Sequence, residues 1–354
     1  MEEKFINVFD YEKYANQTLD SKIADFINCG SADQITLNKN TGSFKNIFLK
    51  PRVLKDVSEC NSQHTVFNTK ISVPVLIAPT GCHGLVCSNA ELATAKAVKN
   101  HDTIMILSML SNVTLENVSK NSNANFWFQI NPLSNMDFNI DLINRAENSG
   151  YKAIVITVDA QYLGFREIDF RNNFSFPKNL KFSNLENYFT ESDLYGHGRE
   201  NLFLKKLTWD EIAFIKSKTK LPIILKGILH EDDAKIAIEY GVDGIIVSNH
   251  GGRQLDTAIP TILALPKIVD VVESKIPVLL DSGIRRGSDV LKAIALGADA
   301  VLIGKPILWG LAVNGCDGAK HIIEIFKSEL IRNMRLCGIS SIEELKHVGR
   351  KIIA

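Results

Sequence analysis

The chain has 354 residues, 45% of them hydrophobic, enough to bury one large core or two smaller ones and too many for a chain disordered throughout. Its 40 basic residues balance 40 acidic ones, so charge gives no case for a nucleic-acid partner or an anionic membrane surface, and a small-molecule ligand is expected. Six cysteines without C-x-x-C spacing, no secretory pattern at the N-terminus, no peroxisomal tripeptide in Lys351–Ala354 and no long apolar run together predict a reduced, cytoplasmic protein with no membrane span.

The first 70 residues read as an irregular N-terminal extension. A helical stretch is expected from about Asp10 to Asn28, followed by Gly30-Ser31-Ala32-Asp33-Gln34 as a helix end and a new cap. Short strands are expected at Pro51–Leu54 and Thr65–Phe67.

From there the pattern changes to short, β-branched runs separated by amphipathic stretches. The runs are Val73–Ala78, Thr103–Leu107, Phe126–Ile130, Ala153–Val158, Ile223–Leu225, Gly244–Val247, Val278–Leu280 and Ala300–Ile303. Helices are expected between them at Asn89–Asn100, Asp137–Ser149, Glu231–Tyr240 and Ser288–Leu296, most ending at a glycine before the next strand. Eight β-then-α units without hairpins predict an α/β protein: a single (β/α)8 TIM barrel spanning 1–354, with the N-terminal extension added.

One interval is too long. Between Asp159 and Leu221 only Thr208–Lys218 reads as a helix, and the excess, 160–205, is rich in Asn, Phe, Tyr and Gly. A loop of that length after strand four is read as a lid over a site, the alternative being a disordered insertion.

In such barrels chemistry collects at the C-terminal strand ends. Gly244–Val247 runs straight into Ser248-Asn249-His250-Gly251-Gly252-Arg253-Gln254-Leu255-Asp256, a base and a fixed cation at one strand end, with Asp159 at another as a carboxylate partner. The last two strands end in Asp281-Ser282-Gly283-Ile284-Arg285-Arg286-Gly287 and Gly304-Lys305-Pro306, where glycine amides beside cations suit a phosphate. Lys226 admits three readings: an ion-paired structural lysine, a Schiff-base nucleophile, or a cation stabilising a cofactor ring. Cys82, His83 and Cys87 form an irregular trio without a fourth ligand, so no metal is expected.

The stretch from Ser248 to Asp256 resembles the signature of the FMN-dependent 2-hydroxy acid oxidases and dehydrogenases, which oxidise glycolate, lactate or mandelate. The resemblance extends in order from Gly30–Gln34 through Pro51–Leu54 and Ala78-Pro79-Thr80 to Gly304-Lys305-Pro306. It implies an FMN cofactor touched by Pro79, Thr80, Gly81, Ser108, Gln129, Thr157 and Ser248, with Lys226 beside the ring. It also implies that Asp281, Ser282, Gly283, Ile284 and Arg285 hold the ribityl chain and phosphate, completed by Gly304 and Lys305. For the substrate it implies carboxylate binding by Arg253 and Arg166, with His250 as acid-base group and Asp159 holding its imidazole. His250 then takes either the hydroxyl proton during hydride transfer or the α-proton in a carbanion route, and O2 is the favoured final acceptor. A homotetramer is expected from the same resemblance.

Several positions depart from that pattern. Phe26 and Asn131 stand where relatives carry tyrosines that touch the substrate, so a substrate other than glycolate or lactate, and bulkier, is expected. Leu110 replaces a pocket tryptophan, Gly81 an alanine whose absence is expected to leave extra room, Lys305 an arginine and Ser282 a glycine. The rivals are a Schiff-base aldolase using Lys226 and a flavin-binding relative with altered catalysis.

Overall fold

The computed structural model describes residues 5–177, 179–195 and 199–354. Residues 1–4 of the N-terminal extension and 178 and 196–198 of the long loop lie outside the described residues.

The N-terminal segment forms helices Val8–Thr18, Ser21–Asn28 and Ile35–Lys45. The single stretch expected from Asp10 to Asn28 is therefore two helices. The Asp20 carboxylate accepts from the amides of Lys22 at 2.9 Å and Ile23 at 3.3 Å, which starts a new helix there, while Leu19 is extended. Pro51–Leu54 is not a strand either: Leu54 is fully exposed with φ +59°, and the nearby bridge pairs Leu49 with Ile353.

A hairpin follows, β1 (His64–Val66) and β2 (Thr69–Ile71), joined through Phe67 and Asn68, both with positive φ as a tight two-residue turn requires. The Phe67 ring closes the floor of the barrel. It meets Trp127 edge-on at 5.2 Å, and a Cβ on Gly244 would lie 2.5 Å from it.

The barrel strands are β3 (Val75–Ile77), β4 (Ile104–Ser108), β5 (Asn125–Ile130), β6 (Ile154–Thr157), β7 (Ile223–Ile228), β8 (Gly244–Val247), β9 (Val278–Leu280) and β10 (Ala300–Ile303). All eight pair in parallel and close, β10 against β3, as the eight apolar runs predict. Alternate residues, including Leu76, Ile106, Trp127, Val155, Ile224, Ile246, Leu279 and Leu302, fill the interior, while their neighbours face the surrounding helices. In β7 the register shifts between Lys226 and Ile228 as it pairs with β8. Among the described residues no helix is long and apolar enough to cross a membrane.

The segment after β6 contains short helices at Glu167–Arg171 and Glu191–Tyr195, and it buries Leu180, Phe182, Leu185, Leu194 and Phe203 against the body. The helix expected at Thr208–Lys218 spans Trp209–Lys216, with Thr208 and Glu211 forming a capping box.

Candidate active site

The strand ends bring the sequence-derived residues together. All of them except Asp159 and Ser248 line one cavity that opens to solvent, and those two stand directly behind it.

His250 follows β8 with φ +58°, and Gly251 and Gly252 continue in the left-handed region at +66° and +74°. A non-glycine residue held there is strained, which the surroundings must enforce. The Ser248 hydroxyl accepts from the His250 amide at 3.1 Å, and a Cβ on Gly252 would meet the Leu37 amide nitrogen at 2.5 Å. The reversal carries the imidazole over the end of β6, where Nδ1 lies 3.1 Å from Asp159 Oδ1. Burial raises the Asp159 carboxyl pKa, but the adjacent His250, their hydrogen bond and Lys226 outweigh it and hold the carboxyl below its ordinary value. Asp159 Oδ2 is buried without a hydrogen-bond partner among the described residues.

The remainder of the signature is largely structural. Asn249 and Asn40 exchange amide hydrogen bonds at 2.7 and 2.8 Å, and Asp256 accepts from the Thr36 amide at 2.9 Å, capping the helix Ile35–Lys45 in place of its own N-cap Gln34. Gln254 donates to the Asp159 carbonyl at 2.6 Å and accepts from the Gly164 amide at 2.8 Å, fastening the long loop to the strand ends.

Arg253 is turned inward, where its Nη1 donates to the carbonyls of Phe26 and Cys29, both at 2.8 Å. Burial, with Arg166 beside it, pushes its pKa down to about 10. Such a cation is under-compensated and suited to an incoming carboxylate. Arg166 carries an ion pair to Asp169 at 3.0 Å, and both guanidiniums lie over the Phe26 ring, at 5.4 and 5.2 Å. Phe26 itself stacks on Phe174 at 4.3 Å. Asn131 accepts from Gln129 Nε2 at 3.2 Å.

Inside the cavity Ser108 donates to Gln129 at 2.9 Å, and Gln129 donates to Thr157 at 2.8 Å. Lys226 is paired with Asp281 at 3.1 Å and donates to Ser248 at 2.9 Å, so its Nζ is engaged rather than free for attack on a carbonyl. This disfavours the aldolase reading. The extra room expected at Gly81 is absent: a Cβ there would meet Leu110 Cβ at 3.0 Å and its carbonyl oxygen at 3.2 Å. His83 bonds Thr80 at 2.8 Å and Thr94 at 2.9 Å through its two ring nitrogens, which accounts for it without a metal.

At the far end lie Lys305 and Arg285. Lys305 donates to the Asn28 carbonyl at 2.7 Å, and Arg285 donates to the Ile284 carbonyl and lies 4.9 Å over the Trp309 ring. Burial pushes the pKa of both down, and for Lys305 the nearby Arg253 and Arg285 add to it. Among the described residues neither forms a salt bridge with a carboxylate. Two partly buried cations with no carboxylate in direct ion-pair contact among the described residues fit the phosphate end of FMN.

Four contributors escaped the sequence reading. The carbonyls of Phe26, Asn28 and Cys29 hold Arg253 and Lys305 through the main chain, which leaves no side-chain signal. Asp169 stands one helical turn after Arg166, a spacing that becomes informative only once that segment is known to be helical.

Comparison with known proteins identifies the family. Residues 15–350 match the FMN-dependent dehydrogenase family. A peroxisomal (S)-2-hydroxyacid oxidase of Arabidopsis thaliana is 44% identical over 348 residues, covering 97% of this chain and 95% of that protein. An L-lactate oxidase of a Nostoc species is 44% identical over 351 residues, 96% of each. Mandelate oxidase crystallised with benzoyl-formic acid superimposes with a TM-score of 0.90 at 36% identity over 97% of both chains. The chain belongs to the FMN-dependent 2-hydroxy acid oxidase family, as an FMN-dependent oxidoreductase on a (β/α)8 barrel.

Proposed function

We propose that this enzyme oxidises a 2-hydroxy carboxylate with an apolar substituent, rather than glycolate or lactate, to the 2-oxo acid, with His250 as acid-base group and O2 as final acceptor. The observation that carries this reading is the His250–Asp159 pair at 3.1 Å beside the under-compensated Arg253, in a cavity whose far end holds Lys305 and Arg285.

Bound FMN supplies the two-electron acceptor at its N5. Pro79, Thr80, Gly81, Ser108, Gln129, Thr157 and Ser248 would hold its ring, and Lys226 would offset negative charge on it. Asp281, Ser282, Gly283, Ile284 and Arg285 take the ribityl chain and phosphate, with Gly304 and Lys305. Arg253 and Arg166 grip the substrate carboxylate, since a planar guanidinium donates two parallel bonds to it. His250 removes a proton from the substrate, and Asp159 keeps the imidazole in one tautomer and stabilises the imidazolium that results. The described part of the long loop, 160–205, would serve as a lid over the site.

The substrate preference rests on the pocket wall. Phe26 offers a ring and no hydroxyl, the Asn131 side chain is engaged by Gln129, and Leu110, Leu163, Phe176, Phe182 and Phe203 make the remaining lining apolar. Structures of the mandelate oxidase relative with an aromatic acid support the same direction. The reading includes a cytosolic homotetramer, which light scattering of the pure protein and cell fractionation check.

The test is anaerobic mixing of the purified flavoprotein with a panel of 2-hydroxy acids while flavin absorbance is followed. Acids with apolar substituents are expected to bleach the flavin; rapid bleaching by glycolate or L-lactate overturns the substrate assignment. His250→Gln is expected to retain FMN and lose bleaching, and normal reduction in that variant overturns the role of His250. Admitting air should then give peroxide in step with product.

A further inference from the structure

Arg166 and Arg253 present two like charges to one aromatic ring, with Cζ atoms 5.4 and 5.2 Å from the Phe26 centroid. Arg253 lines the cavity and is held by two backbone carbonyls, so it stays in place. Arg166 is different. It precedes the short helix Glu167–Arg171 on the long loop, keeps about a fifth of its side chain exposed at 20%, and has solvent within reach. Repulsion from a buried neighbour in a poorly screened pocket favours swinging it outward.

Asp169 opposes that motion. Its Oδ2 lies 3.0 Å from Arg166 Nε, its Oδ1 accepts from the Cys29 thiol at 3.6 Å, and its side chain is largely buried at 13% exposure. The Asp169 amide also donates to the Arg166 carbonyl at 3.1 Å, so the two residues form one closed turn. Pairing through Nε leaves the outer pair of guanidinium nitrogens, Nη1 and Nη2, for a second carboxylate. The same turn is fastened to the N-terminal segment: Asn172 donates to Asp25 at 2.6 Å, and the Ala32 amide donates to the Phe165 carbonyl at 2.9 Å. Asp169 is also an acidic neighbour of Arg253, so its charge offsets both arginines before a substrate arrives.

We propose that Asp169 is a positioning residue for the substrate carboxylate: acting through Arg166, it holds the second guanidinium of the clamp against the repulsion of Arg253. The inference rests on the reading of Arg166 as a carboxylate ligand.

Two effects of Asp169→Asn oppose one another. Loss of a negative charge strengthens the attraction of the pair for an anion, while release of Arg166 removes one of its two donors. Arg166 sits on a loop and beside solvent, so release dominates.

The experiment uses the FMN-loaded enzyme and its Asp169→Asn, Asp169→Glu, Arg166→Met and doubly substituted Arg166→Met/Asp169→Asn forms. Oxalate binding is titrated by the perturbation of flavin absorbance, and KM, kcat, flavin content and Tm are measured alongside. For Asp169→Asn the oxalate Kd and KM are expected to rise roughly tenfold, as for loss of one charge-assisted contact, with kcat within about threefold. Asp169→Glu should recover part of that loss. In the Arg166→Met background, Asp169→Asn should leave the oxalate Kd within about twofold, because its effect passes through the missing guanidinium. Unchanged or tighter oxalate binding in Asp169→Asn overturns the proposal, as does an undiminished effect in the double variant. If Arg166→Met itself leaves the oxalate Kd unchanged, the carboxylate-binding reading of Arg166 fails, and the role assigned to Asp169 fails with it.

Discussion

Replacing Gly227 with alanine tests whether the bulge in β7 exists to let Asp159 reach His250. Gly227 has φ +117°, and a Cβ there would lie 2.7 Å from Asp159 Cβ, 2.8 Å from its Cγ and 3.0 Å from its amide nitrogen. Backbone strain at such a φ costs about 1–3 kcal/mol. Forced displacement of the packed neighbour costs about 1–3 kcal/mol more. An unfolding entropy of roughly 2.1 cal/mol/K per residue over 354 residues turns that total into a Tm lower by about 3–8 °C. The functional effect is separable from the loss of stability. Pushing Asp159 away removes a charge-assisted bond to His250 that contributes about 1.5–3 kcal/mol, or roughly 10- to 150-fold in flavin reduction. The assay is anaerobic stopped-flow reduction of the flavin at a temperature well below the lowered Tm, with flavin content measured in parallel. Gly42→Ala is the control, because Gly42 lies within the helix Ile35–Lys45 and an added Cβ meets nothing within 4 Å. That change should stabilise by about 0.5–1 kcal/mol without altering reduction. A Gly227→Ala enzyme that reduces its flavin at the normal rate refutes the reasoning, whatever its Tm.

Lys305→Met should weaken FMN binding by roughly 10- to 150-fold, the loss of one charge-assisted contact, measured by the fluorescence of released flavin on dilution; unchanged retention would remove Lys305 from the phosphate site. The pH dependence follows from Arg253. Its protonated form binds the carboxylate, and its pKa lies at about 10, so KM should be level below that pH and climb as pH rises through it, with kcat less affected. A KM that stays flat to pH 11, with intact flavin, contradicts the lowered pKa of Arg253.

The barrel was legible because each strand is buried on both faces and therefore reads as an unbroken apolar run, from Val75–Ile77 through Ala300–Ile303. His250, Arg253 and Lys305 were legible because a charged group directly after such a run has one place to go, the C-terminal rim. What stayed hidden depends on local competition or on main-chain atoms. The break at Leu19–Asp20 is decided by one carboxylate capping two amides, against a helical pattern that continues across it. Pro51–Leu54 carries strand-forming residues, yet Leu54 turns outward with positive φ. Gly81 illustrates a different limit: a missing methyl group predicts space only if the neighbours stay put, and here Leu110 occupies it. Asp256 closes the signature in sequence, and in the fold its carboxylate caps the helix Ile35–Lys45.

The carbonyls of Phe26 and Cys29 that hold Arg253 belong to the main chain, and so does the Asn28 carbonyl on Lys305. A peptide carbonyl is present whatever side chain the residue carries. Substitution at 26, the one of the three that lines the cavity, can therefore reshape its wall while Arg253 keeps this anchor. Phe26 thus carries two separable roles, its carbonyl holding the Arg253 guanidinium and its ring facing the cavity, so that the ring can change without loosening the anchor.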